Sequence, residues 1–254
     1  METSGLQCSR PLVFNQIESD FRMNPPVNSP VNAPALYLRA RSAEQKEERR
    51  THLLATARNL LQESPTVLDL GINELARQAQ MTKSNVYRYF ESSEAVLMAL
   101  LVEEFGGWHA ELSAMLTQGG QADATVEHIA RAFSSTVAAR PLLCRLTSIL
   151  PSILERNVSL ERMVEFKGNL LAVRQQTAQN FHARLPSMSV QSFETVVKHA
   201  LPLIIGLWPL SNPSEVAGQV IAQPGLESLR YDFEQDLEHA LLALMRGLAS
   251  TPTK

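Results

Sequence analysis

Apolar residues recur at spacings of three and four over most of the chain after Ser42, and nowhere do they alternate with period two over a strand length. The pattern predicts an all-α protein. Leu53, Leu54, Ala57, Leu60 and Leu61 share one helical face, with Ser42 as the expected N-cap and Ser64-Pro65 as the stop. Ile72, Leu75, Ala76 and Ala79 give a short second helix. Thr82 caps a third, expected over Lys83–Phe90, in which Val86 and Phe90 lie four apart. Ser92 caps a fourth with Val96, Leu97, Leu100, Leu101 and Phe105 inward. Gly106-Gly107 is expected to weaken its middle by about 1 kcal/mol per glycine relative to alanine, before helix resumes through Trp108–Leu116. Further helices are expected at roughly 122–140, 141–155, 159–185, 189–211 and 226–249, interrupted at Gly119-Gly120, Arg140-Pro141, Asn157, Pro186 and Asn212-Pro213.

The last two of these differ from the rest. Leu226, Leu229, Phe233, Leu237, Leu241, Leu244 and Leu248 form one long stripe. The segment 193–210 is apolar on nearly every side: Val196, Val197, Leu201, Leu203, Ile204, Ile205, Leu207 and Trp208. A helix apolar all round needs partners all round, so these two helices are expected to build a homodimer interface, with Ile204 and Leu241 in it. Interior burial alone is the other reading.

Residues 1–43 hold five of the fourteen prolines and no hydrophobic period, which predicts a disordered tail. Arg39 and Arg41, just before the first expected helix, give a second reading, a basic arm. The expected domains are therefore the tail at 1–43, a helix-turn-helix domain at 44–91 and a larger helical domain at 92–250.

Composition narrows the class further. Residues 39–90 carry a net charge of +3 and residues 91–254 carry −5, so a basic module joined to an acidic one points to an anionic partner such as DNA. Cys8 and Cys144 form no CxxC pair, which excludes a zinc ribbon and a disulfide scaffold and suits a cytoplasmic protein. The richest apolar run, Ala200–Leu210, contains Pro202, Gly206 and Pro209 and is too short to span a membrane. The start lacks the apolar core of a signal peptide. The six histidines have no HxxxH or HExxH spacing, and GxSxG, GxGxxG and GxxxxGK[ST] are all missing. No enzyme, cofactor or metal site is expected.

Residues 72–90, INELARQAQMTKSNVYRYF, read as helix, turn, helix, with Leu75, Ala76, Val86 and Phe90 packing the pair together. Lys83, Ser84, Asn85 and Arg88 fall on the face left over. Side chains near the N-terminus of such a helix can reach base edges in a major groove while flanking groups hold phosphates.

The block from Arg49 to Leu101 resembles the DNA-binding domain of the TetR family, the tetracycline-repressor-like regulators. The matching pieces are Arg50, Leu54 and Ala57 in the first helix, Leu75-Ala76 in the second, then MTKSNVYRYF and ESSEAVL. Tyr87 and Phe90, followed by Ser92 and Glu94, are the most specific part. The resemblance covers some 50 residues strongly, and the remainder in size and helical character only. Three positions depart from the family pattern. Gly71 stands where a Ser or Thr usually caps the second helix. Gln80 stands where the turn usually has Gly, and must tolerate the φ the turn imposes. Ser93 replaces a lysine that usually opens the fourth helix and grips a phosphate, which leaves a hydroxyl and the helix N-terminus.

The resemblance implies an N-terminal three-helix DNA-binding domain and a C-terminal helical domain for ligand binding and dimerisation. It implies groove-edge contacts from Thr82, Lys83, Ser84, Asn85 and Arg88, phosphate contacts from Tyr87 and Tyr89, and a backbone approach by Arg49 and Arg50. The implied partners are a pseudo-palindromic operator in double-stranded DNA, a small-molecule effector and a second copy of the chain, with no membrane. Among the later helices Phe105, Trp108, His109, Arg145, Asn169, Arg174 and Trp208 are polar or amphipathic groups set among apolar positions, as a ligand cavity requires. Gln175 and His199 belong to the same set. Arg145 and Arg174 invite an anion; pairing with glutamate on a neighbouring helix is the other reading. The expected function is a ligand-responsive repressor, and the alternative is a helical small-molecule-binding protein whose DNA-binding module has weakened.

Overall fold

The computed structural model describes residues 33–63, 67, 70–118, 124–156 and 158–250, with side chains from residue 43 onward, Glu63 excepted. The described residues are helical with no strand. Two compact units divide the chain, Met1–Glu44 and Gln45–Lys254. In the first, the described part is backbone helix from Ala33, the start of α1 (Ala33–Glu63). The helix begins nine residues before the expected cap at Ser42, because Ala33, Ala35, Leu36, Leu38, Arg39, Ala40 and Arg41 are all good helix formers and Pro34 is tolerated in a first turn. The tail expected at 1–43 otherwise lies outside the described residues, as do the side chains of Arg39 and Arg41.

Gln45–Lys254 is built from the rest of α1, then α2 (Ile72–Gln78), α3 (Lys83–Tyr87), α4 (Ser93–Gln118), α5 (Val126–Ala138), α6 (Pro141–Ser148), α7 (Leu160–Arg184), α8 (Val190–Ser211), α9 (Glu215–Ile221) and α10 (Phe233–Ala249). Side-chain oxygens start most of them. Thr82, Thr125, Ser159, Ser189, Ser214 and Asp232 each accept a hydrogen bond from the backbone N–H three residues on. Ser92 does the same for α4, through Ala95 N–H at 3.1 Å.

One continuous core joins the elements, from Leu53, Leu54, Ala57 and Leu61 of α1 to Leu237, Leu241 and Met245 of α10. Its centre is a run of edge-to-face rings across four helices: Trp108 on Phe133 at 5.0 Å, Phe133 on Phe181 at 6.4 Å, and Phe181 on Phe193 at 5.5 Å. Around it α4 packs on α5, α6 and α7, while α8 packs on α6, α7 and α10.

Several expectations need correction. Gly106-Gly107 does not weaken α4 into two pieces; the helix runs unbroken through both. A Cβ on Gly107 would meet the Arg140 guanidinium at 3.0–3.4 Å, so that glycine is a point of close approach. The helix expected at 141–155 ends at Ser148, and a π-helical turn follows at Leu150–Leu154, where Pro151 has no N–H to continue the ladder. α3 stops at Tyr87, three residues early. The stripe from Leu226 to Leu248 is broken: α10 starts only at Phe233 under the Asp232 cap, and Leu229 is exposed in a separate 3₁₀ turn. α9 falls outside the expected helices: it has only seven residues under the Ser214 cap and buries none of them, although Val216 and Val220 lie four apart. Ile204 and Leu241 are buried within the single chain.

Candidate functional site

The turn between α2 and α3 is set by backbone hydrogen bonds. Met81 N–H reaches back to Ala76 C=O at 2.8 Å and Gln80 N–H to Arg77 C=O at 3.2 Å. This is a Schellman closure, and it requires a left-handed residue between them. Gln80 takes that role at φ 54°, the one positive φ outside glycine among the described residues. The side chain the sequence puts there meets the strain expected of it. Gly71 caps α2 with no side-chain hydrogen bond.

Leu75, Ala76, Val86 and Phe90 are buried, so α3 turns its opposite side outward. Thr82, Lys83, Ser84, Tyr87 and Arg88 are exposed there, and Asn85 is half-buried at their edge. Thr82 Oγ accepts from Asn85 N–H at 3.3 Å and lies 3.1 Å from Ser84 Oγ, which fixes the first turn. Lys83 Nζ stands 5.8 Å from the centre of the Tyr87 ring, so the two groups form one amphipathic tip. Arg49 is exposed on α1. Arg50 is more committed, with its guanidinium 5.6 Å above Phe90 and paired with Glu47 at 3.4 Å. Tyr89 is half-buried against the core, and its carbonyl accepts from Arg162 at 3.3 Å.

Three polar ties join this end to the later helices. Arg58 of α1 donates to Glu103 at 2.8 Å and to Glu104, both on α4, and Arg140 reaches Glu104 at 3.3 Å and Glu111 at 3.0 Å. Glu104 is only 6% exposed, which a carboxylate can sustain with a guanidinium on either side. Arg145 donates to Leu61 C=O at 2.9 Å, satisfying a carbonyl of the last turn of α1, and burial lowers its pKa. Glu91, just ahead of α4, accepts from Ser159 N–H at 2.8 Å and pairs with Arg162 at 3.4 Å.

Beyond the Glu104 cluster the same α4 forms one wall of a cavity of about 240 Å³. Phe105 and Trp108 line it from α4, Phe133 and Val137 from α5, Leu143 from α6, Lys167, Leu170 and Arg174 from α7, and Lys198, Leu201 and Ile204 from α8. Phe105, Trp108 and Arg174 thus stand where a ligand site was expected. His109, Arg145, Asn169 and Trp208 do not line it. His109 points to Asn180 at 3.3 Å, Arg145 caps α1, and Trp208 packs edge-on to Phe233 at 5.1 Å. Asn169, half-buried on α7, is also off the wall. Gln175 is exposed on α7 and His199 on α8. Lys167 and Lys198 went unnoticed, although Lys167 precedes Arg174 by two helical turns on one face. The Cys144 thiol donates to Val137 C=O at 3.4 Å, and burial pushes it up to about 12, so it is no nucleophile. Among the described residues no histidine, cysteine and carboxylate group clusters as a metal site, and no helix is long and apolar enough to cross a membrane.

Residues 102–252 match the family described as "Tetracyclin repressor-like, C-terminal domain". The transcriptional repressor NemR of Escherichia coli K12 is 36% identical over 75 residues, 29% of this chain and 37% of that protein. The transcriptional regulator EthR of Mycobacterium tuberculosis is 42% identical over 55 residues, 22% of this chain and 25% of that one. The matched stretch therefore spans about a third or less of these curated relatives. In fold, the chain is similar to RolR, solved with resorcinol, at a TM-score of 0.53 and 18% identity over 84% of this chain and 98% of that one. A helix-turn-helix closed by a left-handed Gln80, an α4 running from it to a cavity wall, and a family match over most of the chain lead to one conclusion: the chain belongs to the tetracycline-repressor-like family.

Proposed function

We propose that the protein is a ligand-responsive transcriptional regulator, a cytoplasmic repressor released from a pseudo-palindromic operator by a small-molecule effector. The observation that carries this reading is the span of α4. One unbroken helix begins three residues after the buried Phe90 of the helix-turn-helix, carries Glu103 and Glu104 against Arg58 of α1, and presents Phe105 and Trp108 to the cavity. A ligand pressing on Phe105 and Trp108 moves a helix whose other end sets the attitude of α3. Thr82, Ser84, Asn85 and Arg88 then serve the groove, Lys83 serves the groove edge and a phosphate beside it, and Arg49, Arg50, Tyr87 and Tyr89 serve the backbone. Of these, Tyr89 and Arg50 contribute least, since both are already engaged inside the fold. At the N-terminus of α4, Ser93 donates to Glu94 at 3.2 Å, so this end offers a phosphate less than a lysine would.

The regulator works as a homodimer through α8 and α10. The supporting observation is the face these helices leave open: His199, Pro202, Gly206, Pro209 and Leu210 on α8, with Ala243 and Gly247 on α10. Small and flat residues let two helix pairs approach closely, and an isologous contact fixes the spacing of the recognition helices. Because Ile204 and Leu241 are core residues, charge belongs instead at Leu210 or Ala243: L210E or A243E is expected to give a folded monomer by sedimentation. Fluorescence anisotropy on the DNA upstream of the protein's own coding sequence tests the whole reading. Affinity that falls steeply with salt supports it. Salt-independent or absent binding favours the helical small-molecule binder with a weakened DNA module, for which Gly71 without a side-chain cap, Gln80 in the turn and Ser93 at the start of α4 speak.

A further inference from the structure

The cavity wall carries charge of one sign. Lys167 and Arg174 stand two turns apart on α7, Lys198 comes from α8, and among the described residues no carboxylate lines the space. Lys167 is neutralised from outside by Glu155 at 2.5 Å. Arg174 and Lys198 make no ion pair among the described residues, and the Nε of Arg174 is buried without a hydrogen-bond partner. A charged donor left unmade in the interior is among the more costly arrangements a fold can hold, and calls for a reason. The remaining wall is apolar. Trp108 has its one polar atom turned to Thr136 Oγ at 3.1 Å, so it offers the cavity only its ring, beside Phe105, Phe133, Val137 and Leu143. At about 240 Å³ the space lies just below the usual range of ligand sites, about 300–1,000 Å³, and suits a small molecule.

We propose that the cavity takes a small amphipathic anion. Its carboxylate-like head is held by the Arg174 guanidinium with Lys198, and its apolar body lies against Phe105, Trp108 and Phe133. The guanidinium fork matches the two oxygens of a carboxylate, and the exposed Lys198 draws an anion toward an otherwise apolar chamber. This inference rests on reading the cavity as the effector site, and it names the class of effector.

Calorimetric titration of the full chain with phenylbutyrate, phenylbutanol and phenylbutylammonium compares one body under three head charges. The carboxylate is expected to bind about tenfold or more tighter than the alcohol, the gain of one charge-assisted hydrogen bond, and the ammonium weakest. R174M is expected to abolish that preference and K198M to reduce it severalfold, each read as the ratio of carboxylate to alcohol affinity in the same variant. Lys198 is exposed, so K198M keeps the test valid if R174M melts low. Equal affinity for alcohol and carboxylate, tighter binding of the ammonium, no binding of any of the three, or a preference surviving in both variants overturns the proposal. A carboxylate preference that leaves operator binding unaltered upholds the site chemistry and sinks the effector reading. DNA release by alcohol and carboxylate alike does the reverse.

Discussion

The two ends of α4 are built on different principles. At its start, α2 and α3 are short helices of seven and five residues held by local devices: a Thr82 cap, a Schellman turn at Gln80 and four buried side chains between them. Their functional groups point outward. At its far end the same helix enters a bundle of long helices, where Trp108, Phe133, Phe181 and Phe193 come from four different elements and the functional groups point inward. A surface that reads DNA can be specified by neighbours in sequence, whereas a chamber needs agreement among helices far apart in the chain. The Arg58, Glu103, Glu104 and Arg140 cluster lies between these regimes and belongs to both, so disturbing either end separately should separate stability from binding.

The largest effect is expected at that junction. Glu104→Ala takes the shared buried carboxylate from between Arg58 and Arg140 and leaves each with a more exposed partner, Glu103 and Glu111. Removing one partner of a buried ion cluster costs up to about 5 kcal/mol; with both arginines a quarter to a third exposed, about 2–3 kcal/mol is expected. Urea unfolding monitored by circular dichroism measures it. A loss below about 0.5 kcal/mol, the scatter of ordinary surface substitutions, would mean that the cluster does not bind the two regions together.

Lys83→Ala should do the opposite. Lys83 is exposed, with its Nζ against the Tyr87 ring, so unfolding should stay within about 0.5 kcal/mol of the parent protein. Affinity for operator DNA should fall, and the slope of log affinity against log salt should shrink by about 0.9, the share of one phosphate contact. An unchanged slope would take Lys83 off the DNA backbone.

A smaller change sharpens the local side of the comparison. Gln80→Gly removes the cost of a left-handed L-residue, about 1–2 kcal/mol, and adds the entropy penalty of glycine, about 0.5–1 kcal/mol. The net expectation is a gain of about 0.5 kcal/mol in unfolding free energy, with the turn otherwise unaltered. A loss of stability would show that the Gln80 side chain itself holds the turn.

The same contrast explains what could be read from the sequence. Thr82, Ser92 and the strained turn at Gln80 are legible because capping and turn chemistry act within a few residues. The helix faces of α1 and α4 follow from periodicity alone. Around the cavity, periodicity says that Arg145, Trp208 and Arg174 sit on helices, but not how each helix is rotated toward its neighbours. So Arg174 faces the chamber, Arg145 turns to Leu61 and Trp208 to Phe233. For the same reason Ile204 and Leu241, which look like interface residues on an all-apolar helix, pack inside the chain.

The smallest effect belongs to His109, next to Trp108 on α4 but off the cavity wall. Ser113 Oγ donates to the His109 backbone carbonyl at 2.7 Å, which leaves its oxygen to accept from Asn180 Nδ2 at 2.7 Å. The second hydrogen of that amide points at His109 Nε2, 3.3 Å away. The network assigns Nε2 as acceptor and the ring as neutral, and a proton added there would face an N–H. Burial acts in the same direction and lowers the pKa of His109 below its ordinary value. Below that ordinary value, about 6.5, the unfolded chain takes up a proton that the folded chain resists, so stability falls as pH drops through it and is recovered above it. His109→Gln keeps an acceptor for Asn180 and has no proton to gain. Melting temperatures measured from about pH 7.5 down to about pH 5.5, roughly one unit either side of the ordinary histidine pKa, should fall less steeply for this variant than for the parent. Identical slopes would locate the acid sensitivity of the bundle elsewhere than at the Asn180 contact.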